Sequence, residues 1–76
     1  MKTTRQLEVL NGLTKIGNVT ANELAMYFYT QGYTKFFNRN YVHPRLNELV
    51  FQGYVKTDGK KVDTITGKIC TVYRAV

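Results

Sequence analysis

Cysteine and histidine are almost absent from this chain, which has one of each, Cys70 and His43, among its 76 residues. A lone cysteine excludes an internal disulfide, and one cysteine with one histidine cannot make a four-ligand zinc site. Nothing in this composition requires an oxidising compartment. Cys70 falls in a segment of alternating, β-type pattern, where the simplest interpretation is a small buried residue.

Long apolar runs are also missing. No stretch approaches the roughly 20 apolar residues that cross a bilayer, and residues 1–16 are polar and amphipathic, without the apolar centre of a signal peptide. We therefore expect a soluble, cytoplasmic protein with no membrane partner.

The sequence has no catalytic pattern. It contains no glycine-rich phosphate loop, no metal-spaced cluster of His and Asp, and no second histidine. Asp58 and Asp63 stand in turn contexts, where aspartate is expected because its side chain bonds to nearby backbone. The sequence thus predicts a protein that is not an enzyme and needs no cofactor or metal.

Acidic residues are few, with five Asp and Glu against eleven Lys and Arg, for a net charge of +6. Residues 33–76 hold eight of the basic and three of the acidic residues, so 8 − 3 = +5 of that charge lies in the C-terminal half. Such a surface favours a polyanionic partner, with nucleic acid preferred to an anionic membrane surface. The alternative explanation of the charge is a basic protein that is merely soluble.

Helical patterns fill the first half of the chain. Leucines at 7, 10 and 13 predict a helix over residues 4–16, capped by Thr3 or Thr4, with Gly12 as a weak point or a place of close packing. Residues 20–23 (TANE) form a capping box that begins a second helix over 20–31. Gly17 and Gly32 end these two helices.

A third helix is predicted over residues 40–52, ending at Gly53. Pro44 lacks an N–H group, so regular helix should begin close to it; the alternative is a bent helix that starts nearer Asn38. Phe36 and Phe37, just before it, are interpreted as a buried plug.

After Gly53 the period becomes alternating and predicts a β-hairpin over residues 54–75, with strands near 54–62 and 68–75. Asp58 and Gly59 mark a turn or a bulge, and residues 62–67 hold the loop tip. The fold class is α+β: one domain over residues 1–76, with three helices followed by a hairpin. The predicted core consists of Leu10, Leu13, Leu24, Phe28, Leu46, Leu49, Val55 and Val72.

Two segments, residues 20–25 (TANELA) and 42–55 (VHPRLNELVFQGYV), resemble the second helix and the recognition helix of winged helix-turn-helix proteins. The hairpin over 54–74 is similar to their wing. The resemblance covers nearly the whole chain and points to small regulators of phages, mobile elements and bacteria. It implies a double-stranded DNA-binding protein, a small transcriptional regulator with its third helix in the major groove and its basic wing on the backbone.

Two features depart from the family pattern. The segment over residues 32–40 is longer than the turn of a compact helix-turn-helix, and Pro44 stands where the family has an ordinary helix former.

The resemblance implies which side chains near the third helix would meet DNA: Asn38, Arg39, Asn40, Tyr41, His43 and Arg45. Arg39 and Asn40 have the chemistry to read guanine and adenine edges. Most of these candidates also have a simpler interpretation, and His43, which precedes a proline in a first turn, can be a plain polar residue. The asparagines can cap the chain, Tyr41 can pack beneath the helix, and Arg45 can be a solvated surface residue.

The wing adds a second set of candidates, Lys56, Lys60, Lys61 and Lys68. These can meet phosphates or the minor groove, or they can simply keep an edge strand soluble. We hypothesise that Arg39 and Asn40 read bases, while Lys60 and Lys61 hold phosphates.

The alternative function is a protein-interaction adaptor or inhibitor module that reuses the same fold, with a contact surface built on Tyr27, Tyr29 and Tyr33. The salt dependence of binding distinguishes the two functions, because the affinity of lysine side chains for DNA falls steeply as the salt concentration rises. With no long helix for dimerisation, we expect a monomer or a weak homodimer.

Overall fold

The computed structural model describes residues 4–76, which form three α-helices, a short 3-10 helix and three strands. In chain order the elements are α1 (Thr4–Ile16), β1 (Val19–Thr20), α2 (Ala21–Thr30), the 3-10 helix (Arg39–Tyr41), α3 (His43–Gln52), β2 (Val55–Val62) and β3 (Ile69–Ala75). This α+β arrangement confirms the predicted class and is compatible with a winged-helix layout. The proposed cap Thr3 lies outside the described residues.

Local signals fix the ends of the helices. The Thr20 hydroxyl accepts a hydrogen bond from the N–H of Glu23, and the Glu23 carboxylate accepts one from the N–H of Thr20, each at 3.2 Å. The predicted capping box is therefore confirmed. At the other end of the helical region, Gly53 closes α3 with a φ of 87°, a left-handed conformation that costs glycine little.

The third helix begins later than predicted. A 3-10 turn over Arg39–Tyr41 comes first, and α3 starts at His43, with Pro44 in its first turn. The expectation that regular helix begins close to Pro44 is confirmed. Proline fits there because the first-turn N–H groups have no partner within the helix.

The sheet has one more strand than predicted. β1 pairs with β3, through Val19 with Tyr73 and Thr20 with Val72, and the strand order is β1-β3-β2. Two residues are too few to show a period of two, so the sequence pattern missed this strand. Within the hairpin, the register shifts between Thr57 and Lys60, so the interpretation of Asp58 and Gly59 as a bulge is confirmed.

One apolar core lies between the three helices and the sheet. Seven of the eight predicted core residues are buried, and Leu10 is partly buried against the same cluster. Gly12 is a point of close packing, because a Cβ atom there would lie 2.7 Å from Cζ of Phe28. The ring of Phe28 thus sits directly on the backbone of α1.

The predicted aromatic plug is wrong. Phe36 is 68% exposed and Phe37 36% exposed. The space against Phe28 is taken instead by Tyr33 and Tyr41, whose ring centroids lie 5.0 and 5.5 Å from that of Phe28. With those two rings in place, the Phe36 and Phe37 side chains remain at the surface.

Candidate functional site

An open cleft of about 200 Å³ lies between the first turns of α2 and α3 and the inner face of the β2–β3 hairpin. Three of the predicted site residues line it together: Arg39 from the 3-10 helix, His43 from α3 and Lys60 from β2. Asn22 and Thr71 supply polar groups to the same walls. The cleft therefore collects basic side chains from three separate elements.

His43 is partly buried in this cleft. Burial lowers the pKa of its imidazole below the ordinary value, and the positive charge of Arg39 lowers it further. The imidazole therefore loses its proton at a lower pH than a free histidine side chain does.

Arg45 lies elsewhere, on the flank of α3 that faces α1. Its Nε and Nη2 atoms donate to the two carboxylate oxygens of Glu48 at 2.8 and 3.1 Å. Glu48 also accepts a hydrogen bond from Gln6 at 2.8 Å, and these contacts, that of Gln6 foremost, hold the pKa of Glu48 below its usual range. Arg45 can reach another anion only by leaving this pair.

Tyr41 and Asn38 also have local structural roles. The Tyr41 hydroxyl donates to Glu8 at 2.8 Å, and the guanidinium of Arg5 lies 3.9 Å from the centre of its ring. Tyr41 therefore packs against α1, the simpler of its two interpretations. The Asn38 side chain accepts from the N–H of Asn40 at 3.0 Å and caps the 3-10 helix. The side chain of Asn40 is left exposed.

The four wing lysines do not share one environment. Lys61 forms an ion pair with Glu23 at 2.9 Å, whereas its neighbour Lys60 lines the cleft. Lys56 is exposed and pairs in register with Arg74, and Lys68 is exposed in the loop of the hairpin.

Asp63 is a residue whose importance sequence reasoning missed. Its carboxylate is fully buried, lies 4.0 Å from the weak donor Cys70 Sγ, and accepts four hydrogen bonds from N–H and O–H groups: from Thr20 at 3.1 Å, Asn22 at 2.7 Å, the N–H of Ile65 at 3.1 Å and Thr66 at 2.9 Å. Two of these donors belong to the start of α2 and two to the hairpin loop. Asp63 therefore fastens the loop to the helix that forms one wall of the cleft.

Glu23 reinforces the same junction. Besides closing the capping box and pairing with Lys61, its carboxylate accepts hydrogen bonds from the N–H and the hydroxyl of Thr64 at 3.2 and 2.9 Å. Burial opposes ionisation of Glu23 and of Asp63, but their hydrogen bonds outweigh it and hold the pKa of each carboxyl below its usual value.

This junction predicts acid sensitivity. The unfolded chain, with ordinary carboxyl pKa values near 4, binds more protons at acid pH than the folded chain, so these two groups stabilise the fold above about pH 4.5 and lose that effect as the pH falls through their lowered values. Thermal unfolding between pH 7 and pH 3 should show a falling midpoint. The unfolding midpoint of Glu23→Gln should be lower than that of the wild type at pH 7 and should fall less between pH 7 and pH 3. Parallel curves of midpoint against pH for the two proteins would contradict the assignment.

The outer face of α3 is free of intramolecular packing. Pro44, Asn47 and Phe51 follow each other at intervals of three and four residues and are all exposed, with Phe51 at 92%. Asn40, in the 3-10 helix that precedes α3, is exposed as well. Sequence reasoning missed Asn47 as a candidate. Its spacing of three residues from Pro44 placed it on the exposed face of α3, away from the buried positions 46 and 49.

The charges divide into paired and unpaired sets. All five carboxylate side chains are engaged: Glu8 by Arg5 and Tyr41, Glu23 by Lys61, Glu48 by Arg45, Asp58 by Arg74 and Asn18, and Asp63 by its hydrogen bonds. Within residues 4–76 the basic side chains that make no ion pair are Lys15, Lys35, Arg39, Lys56, Lys60 and Lys68. The hairpin and the cleft hold most of this uncompensated charge.

Over the described part of the chain, no group of His, Cys, Asp and Glu side chains is placed to hold a metal ion. Among the helices of residues 4–76, none has the length and apolar character needed to cross a membrane. No family model, curated protein or solved structure matches the chain. Its function is therefore inferred from the geometry and charge of the cleft and of the α3 face.

Proposed function

We propose that this chain is a winged helix-turn-helix protein that binds double-stranded DNA, acting as a small transcriptional regulator of phage or mobile-element type. The observation that carries the proposal is the uncompensated positive charge of the cleft and hairpin beside an exposed helical face. Carboxylates neutralise Arg45 and Lys61 within the protein, whereas Arg39 and Lys60 have none. A polyanion satisfies such a surface.

The exposed face of α3 is the part suited to the major groove. An α-helix fits that groove, and asparagine side chains can pair twice with adenine. Asn47 lies on this face, Asn40 is exposed in the 3-10 helix just before it, and the exposed ring of Phe51 offers an apolar surface for a thymine methyl group.

Arg39 takes a different role from the one hypothesised from sequence. Because it lines the cleft with His43 and Lys60, we assign it to the DNA backbone rather than to a base edge. Lys56, Lys60 and Lys68 of the hairpin complete the backbone contacts.

Two adjacent lysines give a matched test of this proposal. Binding of a fluorescent mixed-sequence duplex should weaken steeply as salt rises, and Lys60→Gln should reduce the slope of log K against log salt by about 0.9, the value for one lost phosphate contact. Lys61→Gln should change the slope much less, because Lys61 is paired with Glu23. Circular dichroism at the assay temperature checks that both variants are folded.

Two results would count against DNA binding. If the wild-type protein binds neither this duplex nor others at low salt, the proposal is wrong. If it binds but equal slopes are measured for the two lysine variants, the cleft is not where the backbone lies.

A second candidate function, a protein-interaction module, is favoured by the exposed aromatic side chains around the α2–α3 connection. Tyr29, Tyr33, Phe36 and Phe37 all reach the surface there. Aromatic residues are enriched at protein interfaces. A partner bound through them would be lost in Phe36→Ser and would depend little on salt, the opposite of the behaviour expected for DNA.

A further inference from the structure

The cleft has the composition of a small anion site. The residues that line it include Arg39, Lys60, His43 and Thr71, whose side chains all carry hydrogen-bond donors. A tetrahedral oxyanion accepts hydrogen bonds on every oxygen, so donors on several sides of one cleft suit it better than a flat patch of lysines.

Lys60 points into the cleft because of the bulge in β2. Thr57 is paired with Tyr73 and Lys60 with Thr71, so one extra residue of β2 lies between the two pairs. Without that residue, Lys60 would point to the opposite face of the hairpin. The bulge therefore brings a cation to the same face as Thr71 and Tyr73.

No carboxylate is among the described residues that line the cleft, but that of Asp63 lies behind its wall, within hydrogen-bond reach of Asn22 and 4.0 Å from Cys70 Sγ. The residues that line the cleft with His43 include Arg39 from the 3-10 helix, Lys60 from β2, Cys70 and Tyr73 from β3, and Asn22 from α2. The Asn22 side-chain amide already donates a hydrogen bond to the Asp63 carboxylate at 2.7 Å. In the unliganded protein, burial and the positive charge of Arg39 thus oppose a charge on the imidazole.

We propose that Arg39, His43 and Lys60 form one oxyanion site that takes a phosphate group, and that His43 takes up a proton from solvent when the anion binds. The identification of this phosphate as a DNA backbone phosphodiester rests on the function proposed above. The anion offsets the repulsion between the cations, so the protonated imidazole, with an added N–H donor, becomes the favoured form. By linkage, protonation of His43 must in turn strengthen binding.

The test uses the fact that His43 is the only histidine in the chain. Its imidazole Cε1–H signal can be followed by NMR from pH 4.5 to 8.5 in sodium chloride, in sodium sulfate of equal ionic strength, and with a short DNA duplex. Sulfate keeps its charge over this range, and the expected rise in the pKa of His43 is about 1 in both sulfate and duplex.

Variants separate the site from general screening. Lys60→Gln should remove most of the rise in the pKa of His43 that sulfate causes. Arg39→Gln should raise the pKa of His43 in sodium chloride, because the repulsion by Arg39 is lost, and should then also remove most of the rise caused by sulfate. Lys35→Gln is the control, since Lys35 is also an exposed lysine without an ion pair but does not line the cleft. Duplex affinity should increase up to about tenfold between pH 8 and pH 6 in the wild type, and stay flat in His43→Gln.

The outcomes distinguish this inference from the proposed function. A duplex that binds without changing the pKa of His43 overturns the oxyanion site and leaves DNA binding intact. If the pKa of His43 rises in sulfate but the protein binds no duplex, the oxyanion site is supported, its ligand is a free oxyanion, and the DNA proposal is overturned. A rise that persists in both Lys60→Gln and Arg39→Gln contradicts the assignment of these residues.

Discussion

Replacing Phe28 with alanine should lower the free energy of unfolding by about 3–5 kcal/mol, the usual cost of deleting a buried phenyl ring. Phe28 is almost fully buried and its ring contacts Tyr27, Tyr33 and Tyr41, with the backbone of Gly12 behind it. These neighbours come from three elements and the α2–α3 connection, so they cannot all move in to fill the space.

The size of this loss matters because the domain is small. At about 0.05–0.15 kcal/mol per residue, a chain of 76 residues has roughly 4–11 kcal/mol of stability in total. Phe28→Ala should therefore leave a measurable fraction of the protein unfolded at 37 °C. Urea denaturation monitored by circular dichroism measures the loss of unfolding free energy.

Phe36→Ala is the matched control, with the same atoms removed eight residues further along. Because Phe36 is 68% exposed, its loss should change the free energy of unfolding by less than about 0.5 kcal/mol. If the two variants were equally unstable, the packing around Phe28 would be wrongly described.

The contrast between these two phenylalanines shows where sequence reasoning reaches its limit. Phe28 was placed in the core by its spacing from Leu24 within one amphipathic helix, a local pattern. Phe36 and Phe37 lie in a connection without a period, so only their hydrophobicity was informative. Tyr33 and Tyr41 occupy the space against Phe28 in their place, and that is decided by tertiary packing.

Helix limits were predictable for the same local reason. The capping box joins Thr20 and Glu23, three residues apart, and its signal is complete within one turn. β1 was not predictable in this way, because Val19 becomes a strand residue only by pairing with Tyr73 in another part of the chain.

The candidate site was predicted as a set of residue types, and the structure separates its members. Lys60 and Lys61 are indistinguishable by sequence, yet one lines the cleft and the other binds Glu23. Their directions follow from the bulge before Lys60. The sequence indicated a bulge or a turn at Asp58 and Gly59, but it could not say which lysine would face inward.

Asp63→Ala should be the most damaging change in the hairpin, at about 3 kcal/mol of unfolding free energy. A hydrogen bond to a charged group contributes about 1.5–3 kcal/mol, and deletion leaves donors without a partner. Here the stranded groups include the Thr20 hydroxyl and the Asn22 amide, both 40 or more residues away along the chain. The loss is not the sum of four bonds, since water can enter and the loop can relax.

Asp58→Ala is the control for this change, because Asp58 lies on the same hairpin but is exposed and pairs with Arg74 at 3.4 Å. An exposed pair contributes about 0–1 kcal/mol, so this variant should unfold close to the wild type in a urea titration.

The position of Asp63 also predicts where the damage appears first. It joins the hairpin loop to the start of α2, so in Asp63→Ala the amide of Ile65, which donates to Asp63 at 3.1 Å, should exchange with solvent well before amides of α1 such as that of Leu13. In hydrogen-exchange experiments, uniform loss of protection across the domain would show that Asp63 supports the whole core. Loss confined to the hairpin would show that it holds the cleft wall in place, and DNA affinity should then fall under conditions where the helical core stays folded.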